Sequence, residues 1–169
     1  KVAIDNIRIG SGILNELPEI LCKYRGSKVL LVADKNTYRT AGQQVEDIIE
    51  GDFSISRLIY QEERLVPGAE SLGKLLLEMK EDISLILAVG SGTLNDIARY
   101  ISAKTRVPYA IVATAPSMDG YASVVSSLIR NGVKTTFKGV YPVAIIGDAE
   151  VMKDAPMHML HARSEERRV

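Results

Sequence analysis

Short apolar runs alternate with amphipathic stretches along most of this chain of 169 residues. Runs of strand length, either continuously apolar or alternating, lie at 28–34, 54–60, 83–90, 109–114 and 141–148. Apolar residues at helical spacing lie between them, at about 37–50, 68–80 and 94–105. Such alternation is typical of βαβ units. The sequence therefore predicts an α/β fold with a mostly parallel sheet and helices on both faces.

The pattern changes after residue 123. Asn131 and Gly132 separate two strand-like runs within 124–138, which predicts a β-hairpin with a two-residue turn. Residues 149–163 return to a helical pattern, and a charged segment follows them. We predict one α/β domain over residues 1–148 and interpret 149–169 as the start of a truncated helical domain or an irregular tail.

Composition narrows the classes of partner. Lys plus Arg and Asp plus Glu number 21 each, so a balanced chain gives no electrostatic reason to expect nucleic acid or an anionic membrane. No apolar stretch has the length of a membrane-spanning helix, and we expect no membrane insertion and a cytoplasmic location. Cys22 is the sole cysteine and lies in an amphipathic run, so we expect a small buried residue rather than a disulfide or a zinc ligand.

The stretch AVGSGTLND follows the predicted strand that ends at Gly90. A glycine turn that opens a helix offers free backbone N–H groups to a phosphate, and Gly92 and Thr93 suit that role. The dinucleotide fingerprint G-x-G-x-x-G is not matched, because Asn95 stands at the third glycine position, and no P-loop lysine follows. The alternative is a tight turn with Asn95 or Asp96 near the helix start.

A second loop, VATAPSMDGYAS, follows the next predicted strand. Thr114, Ser117, Asp119 and Ser123 place three hydroxyl groups and a carboxylate where ligands gather in such folds. The alternative is a loop in which Ser117 or Asp119 caps a helix. Because the two loops follow neighbouring strands, we expect them to lie at the same edge of the sheet.

Three further polar residues each have two interpretations. Asp34 ends a predicted strand, where a carboxylate accepts hydrogen bonds from the ribose of NAD or caps the following helix. His158 and His161 would share one helical face, but two imidazoles alone make an incomplete metal site, and surface histidines are the simpler interpretation.

The two loops, in order and spacing, resemble a known family. The segments GSGTLNDIARYIS, VPYAIVATAPSMDGYAS and VYPVAIIGDAEVMKDAP look like the N-terminal half of sn-glycerol-1-phosphate dehydrogenases, within the superfamily of glycerol dehydrogenases, iron-type alcohol dehydrogenases and dehydroquinate synthases. The resemblance covers residues 28–161, and its most specific part, TAPSMDGYAS, points to the bacterial branch. It implies a Rossmann-like domain that binds NAD or NADP.

The resemblance also implies a role for each matching position. Residues of the glycine turn would contact the pyrophosphate: Gly92, Thr93, Leu94, Asn95 and Asp96. Residues of the second loop would line the nicotinamide: Thr114, Ala115, Pro116 and Ser117. Ser123 would contact the cofactor again, and Asp119 would bind the substrate. With the ribose role of Asp34, these positions complete the predicted site.

Family members reduce dihydroxyacetone phosphate to sn-glycerol 1-phosphate, with zinc or nickel polarising the carbonyl. The resemblance places Glu166 where the family's first metal ligand, an aspartate, is expected, and it implies that the two histidine ligands come from a helical C-terminal domain not included in these residues. We therefore expect no complete metal site, no activity from this chain alone, and a homo-oligomer. The alternatives are a non-catalytic nucleotide-binding module or a related glycerol or polyol dehydrogenase.

Overall fold

Six parallel strands form the central sheet of the protein, in a computed structural model that describes residues 4–116 and 118–153. The strands, with a separate two-stranded hairpin, are β1 (Asn6–Gly10), β2 (Lys28–Asp34), β3 (Ser54–Tyr60), β4 (Ile83–Gly90), β5 (Tyr109–Ala113), β6 (Val125–Arg130), β7 (Val133–Lys138) and β8 (Ala144–Asp148). The sheet order is β1-β8-β5-β4-β2-β3, and β6 pairs with β7 in the hairpin.

Helices connect the parallel strands. They are α1 (Leu17–Ile20), α2 (Lys35–Thr37), α3 (Gln43–Ile49), α4 (Ala69–Glu78), α5 (Gly92–Thr105), α6 (Met118–Tyr121) and α7 (Ala149–Lys153). A π-helical turn, Tyr38–Gly42, joins α2 to α3, and short 3₁₀ turns at Ile13–Glu16 and Cys22–Tyr24 flank α1.

The sheet is buried on both faces because successive side chains of a strand point in opposite directions. On one face, Leu31 and Leu87 pack in a core with residues of α1 and α3. On the other, Leu30 and Ile86 pack in a core with Leu75 of α4 and with α5. The continuous apolar runs of β2 and β4 follow from this two-sided burial.

The strand order reverses between β2 and β4. From β2 the chain moves outward to β3, and from β4 it moves in the other direction to β5 and β8. Ligands of open parallel sheets bind at such a reversal, outside the carboxyl ends of the strands. Asp34, Gly90 and Ala113 end the three strands that meet there.

The sequence prediction of an α/β sheet with a hairpin is confirmed. Strands β2, β3 and β4 have the predicted bounds, whereas β5 ends one residue early and β8 begins at Ala144. The hairpin turn lies at Asn131 (φ 52°) and Gly132 (φ 77°), and two residues in the left-handed region are the requirement of a type I′ turn.

Two features differ from the prediction. Strand β1 was not predicted: it pairs only with β8 at the sheet edge, so Ile7 and Ile9 remain 49% and 61% exposed and the segment lacks the apolar run of a central strand. The expectation that Cys22 is buried was wrong, because the amphipathic run breaks into α1 and a 3₁₀ turn, and Leu21 takes the buried position beside it.

The predicted helical segment 149–163 lies only partly within the described residues, where α7 forms. His158, His161 and Glu166 lie outside them. Among the described residues, no helix combines the length and apolar character needed to cross a bilayer.

Close packing at the end of β4 gives the first testable prediction. A Cβ atom at Gly90 would lie 2.9 Å from Leu94 Cβ, whereas one at Gly73, inside α4, would meet nothing within 4 Å. Gly90→Ala should therefore lower the free energy of unfolding by about 1–3 kcal/mol in urea titrations. Gly73→Ala should raise it by about 0.5–1 kcal/mol, since alanine favours a helix. Equal changes in both variants would contradict the close approach.

Candidate functional site

The turn between β4 and α5 carries backbone donors that have no acceptor among the described residues. Ser91 is the residue before α5, in an extended conformation and without a side-chain cap, and its carbonyl accepts the first helical bond from Asn95 N–H at 3.0 Å. Within residues 4–116 and 118–153, no group accepts from the N–H of Gly92, Thr93 or Leu94. A helix of 14 residues thus presents three free donors and its positive dipole end at the strand edge.

The two glycines of this turn have different roles. Gly90 leaves the space into which Leu94 packs, and Leu94 is 1% exposed. Gly92 is exposed and a Cβ there would meet no protein atom, so its missing side chain serves no packing need. The open space over Gly92 instead suits a close approach by a ligand.

The second loop is bonded directly to the first. Thr114 N–H donates to the Gly90 carbonyl at 3.1 Å, and the Thr114 and Ala115 residues are buried. The Tyr121 hydroxyl donates to the Ala115 carbonyl at 3.1 Å and so ties the loop to α6. The expectation that the two loops share one edge of the sheet is confirmed.

The side chains of Asn95 and Asp96 point into the protein. Asn95 is buried: its Nδ2 donates to the Gly120 carbonyl at 3.3 Å, and its Oδ1 accepts from the Tyr109 hydroxyl at 3.1 Å. Asp96 Oδ1 accepts from Arg99 Nη1 at 3.1 Å. Neither side chain caps the start of α5, and the predicted contact of these residues with a cofactor stays a prediction.

Arg99 is the residue that sequence reasoning missed. It is fully buried, and its Nε donates to the Tyr109 hydroxyl at 3.1 Å. The sequence did contain a signal for it. Arg99 lies among positions of α5 whose other buried residues are mostly apolar, and it follows Asp96 by three positions, the spacing of an ion pair on a helix. A buried guanidinium requires partners for its charge and its donors.

Burial changes the protonation of this cluster. Burial raises the pKa of Asp96 to about 6, although Arg99, the backbone N–H of Ser127 and Lys134 each lower it. Burial likewise raises the pKa of the Tyr109 hydroxyl to about 12, against the opposing effect of Arg99. Near neutral pH the Tyr109 hydroxyl therefore keeps its proton and donates to Asn95.

Asp34 lies at the same edge and acts as a helix cap. Its Oδ1 accepts from the N–H groups of Asn36 and Thr37 at 2.9 and 2.8 Å, and the Thr37 hydroxyl accepts from the Asp34 N–H, which completes a capping box. Its Oδ2 has no donor among the described residues. The cap interpretation is confirmed, and the ribose role stays a prediction that Oδ2 would serve.

The remaining predicted positions are described in part. Ser123 Oγ accepts from Val125 N–H at 3.1 Å and so caps the start of β6. Pro116 follows Ala115 in the loop and is half-buried. Asp119 lies in α6, but its side chain is outside the described part of the chain, as is Ser117.

Asp148 is a second buried carboxylate that sequence reasoning did not select. It ends β8, where its Oδ1 accepts from the N–H of Gly12 and Glu150, and its Oδ2 accepts from the N–H of Leu14. These bonds hold the turn after β1 and the start of α7 together. In the part of the chain that the structure describes, no group of three or more His, Cys, Asp or Glu residues is placed to hold a metal ion.

Comparison with known proteins places this site in context. The sequence profile of the iron-containing alcohol dehydrogenases matches residues 8–156. The chain is 34% identical over 165 residues to the glycerol-1-phosphate dehydrogenase [NAD(P)+] of Halalkalibacterium halodurans, with 95% of this chain and 41% of that protein covered. Its counterpart from Thermococcus kodakarensis is 35% identical over 136 residues, with 80% of this chain and 38% of that protein covered.

Solved structures share the fold. Glycerol dehydrogenase from Schizosaccharomyces pombe superposes with a TM-score of 0.82 at 22% identity, over 93% of this chain and 40% of that one. An iron-containing alcohol dehydrogenase from Thermotoga maritima superposes with a TM-score of 0.78 at 16% identity, over 94% of this chain and 50% of that one. The chain thus spans about 41% of the length of the curated relatives that it matches at 34% identity.

The raised pKa of Asp96 makes stability depend on pH. Because this pKa rises from 3.8 to about 6 on folding, the folded chain holds the proton more tightly than the unfolded chain. The contribution of Asp96 to the free energy of unfolding is therefore complete below pH 3.8 and is lost as the pH rises through about 6. The side chain introduced by Asp96→Asn cannot ionise. In urea titrations, the free energy of unfolding of this variant relative to that of the original chain should therefore rise by about 2 kcal/mol from about pH 4 to pH 7.

Asp82→Asn provides a control of opposite sign. A hydrogen bond from Lys28 lowers the pKa of Asp82, so its contribution is present at neutral pH and lost as the pH falls. Relative to the original chain, the Asp82→Asn variant should lose stability as the pH rises to 3.8, and the difference should change little between about pH 4 and pH 7. A constant difference between Asp96→Asn and the original chain at all pH values would contradict the burial of the Asp96 carboxyl.

Proposed function

Because this chain belongs to the iron-containing alcohol dehydrogenase family, we propose that residues 1–148 are the NAD(P)-binding domain of an sn-glycerol-1-phosphate dehydrogenase. Homology over most of the chain supports a dehydrogenase nucleotide-binding module. The substrate and the individual contacts are the proposal.

The observation that carries the proposal is the set of free donors at the start of α5. The N–H groups of Gly92, Thr93 and Leu94 lack acceptors among the described residues and lie at the reversal of strand order. A pyrophosphate accepts hydrogen bonds from such donors, and the helix dipole favours its negative charge. This backbone arrangement fits NAD(P) without the usual glycine fingerprint, because the close approach needs only Gly92.

The other half of the dinucleotide would lie over the second loop. We assign the nicotinamide to Thr114, Ala115, Pro116 and Ser117, with Ser123 as a further contact and Asp119 toward the substrate. Thr114 supports this assignment, because its bond to Gly90 places the loop beside the proposed pyrophosphate site. Asp34, with Oδ2 free of described donors, would accept from the adenosine ribose.

The reaction that this site would serve is hydride transfer between the nicotinamide and the carbonyl carbon of dihydroxyacetone phosphate. In it, the residues of this chain bind and orient the cofactor and hold the substrate near its reactive face. The described residues contain no group of three or more His, Cys, Asp or Glu residues placed to hold a metal ion. We further propose a homo-oligomer, in keeping with the exposed Ile7 and Ile9 on the edge strand β1.

Binding of NADH tests the proposed function. The full chain should bind NADH in isothermal titration calorimetry, and Gly92→Val should weaken the affinity by about tenfold or more, since two methyl groups would occupy the space of the phosphate. A Cβ atom at Gly92 would meet no protein atom within 4 Å, so the fold should be retained.

Gly73→Val is the matched control for that experiment. Gly73 also lies in a helix where a Cβ atom would meet nothing within 4 Å, but it is on α4, outside the proposed site. This variant should bind NADH as the original chain does. A chain that does not bind NADH, or two variants with the same affinity, would contradict the proposed function.

The charge of Asp34 gives a separate prediction about cofactor choice. Asp34→Asn keeps a good helix cap but removes a negative charge that would repel the 2′-phosphate of NADPH. The ratio of NADPH to NADH affinity should rise by about fivefold, as expected for the loss of one close repulsion. An unchanged ratio would place Asp34 away from the adenosine ribose.

A further inference from the structure

We propose that Arg99 is a positioning residue: it fixes the segment 120–125 against the start of α5 and thereby orients the nicotinamide half of a bound dinucleotide, a role that rests on the function proposed above. Arg99 would touch neither cofactor nor substrate, because it is fully buried. Its effect would pass through the backbone that it holds.

The bonds of Arg99 converge on the backbone of one short segment. An arginine side chain has five N–H donors. Two of them serve Tyr109 and Asp96, as described above. The others reach backbone carbonyls at the end of α6 and the start of β6, namely those of Gly120 at 2.8 Å, Tyr121 at 3.1 Å and Val125 at 2.6 Å.

The surrounding chain leaves room for this side chain. A Cβ atom at Gly139, just after β7, would lie 2.6 Å from Arg99 Cγ and 2.7 Å from Arg99 Cδ. Gly139 N–H donates to the Val124 carbonyl at 2.6 Å, so the exit of the hairpin is held beside its entry. The exit of the hairpin, at Gly139, therefore contacts the aliphatic part of Arg99, and its entry, at Val125, accepts from the guanidinium group.

The segment needs such support from outside. Helix α6 has four residues, too few for a stable helix without tertiary contacts. Gly120 receives bonds from both Arg99 and Asn95, and it directly follows Asp119, the proposed substrate-binding residue. The position of Gly120 is thus set by two residues of the helix that begins at the glycine turn.

This arrangement predicts that the two halves of the dinucleotide respond differently when Arg99 is changed. The free donors of Gly92, Thr93 and Leu94 belong to the backbone at the start of α5 and need no bond from Arg99. Binding of ADP, which lacks the nicotinamide, should therefore persist. Binding of NADH should weaken, because the segment that carries Ser123, a proposed cofactor contact, would lose three of its backbone bonds.

Arg99→Lys separates these effects in the full chain. Lysine keeps the positive charge beside Asp96 but lacks the forked geometry that reaches several carbonyls. We expect the NADH affinity to fall about tenfold, with loss of the change in nicotinamide fluorescence on binding, while the ADP affinity stays unchanged. Arg130→Lys, a substitution of an exposed arginine in β6, should leave both ligands bound as before.

Tyr109→Phe is the second variant, in case Arg99→Lys does not fold as judged by circular dichroism. It removes only the hydroxyl that joins Arg99 to Asn95, and it should give a smaller loss of NADH affinity with ADP again unaffected. Equal loss of affinity for both ligands, or no change in either affinity, would overturn the role of Arg99 but not the proposed function. An original chain that binds neither ligand would overturn the proposed function and this role with it.

Discussion

The two-sided burial of the parallel strand β4 is the constraint on which the rest of the structure depends. Seven of its eight residues are buried, and its backbone pairs with β2 on one side and β5 on the other. A strand buried on both faces cannot carry polar ligand-binding side chains along its length, so such groups lie beyond its carboxyl end. Gly90 ends the strand there, and its carbonyl accepts from Thr114, so the first loop is fixed to the second at their starting points.

Helix α5 converts this edge into two kinds of surface. Its outward start presents backbone donors with no described acceptor, while its inward face carries polar side chains that the core does not usually contain. A buried charge is costly unless its bonds are satisfied, so Arg99 can lie there only if backbone carbonyls come to it. The segment 120–125 supplies them, and its conformation is thereby coupled to the helix.

The fold was largely predictable because its signals are local and repeated. Strands β2 and β4 carry continuous apolar runs, β3 carries an alternating one, and the hairpin turn has residues that tolerate the left-handed region. Strand β1 was missed because an edge strand needs little apolar sequence and depends on its partner β8. Cys22 was misplaced because an amphipathic pattern does not specify where a helix breaks.

For the candidate site, the sequence alone indicated where the backbone is free of side chains, since glycines and strand ends are visible in it, and the resemblance supplied the proposed ligand. The tertiary structure decided the direction of each side chain. Asn95 and Asp96 face the protein, Asp34 caps a helix, and Arg99 joins residues more than 20 positions away in the chain. A hydrogen bond between distant residues leaves no periodic trace in the sequence, because its partners are brought together only when the sheet has formed.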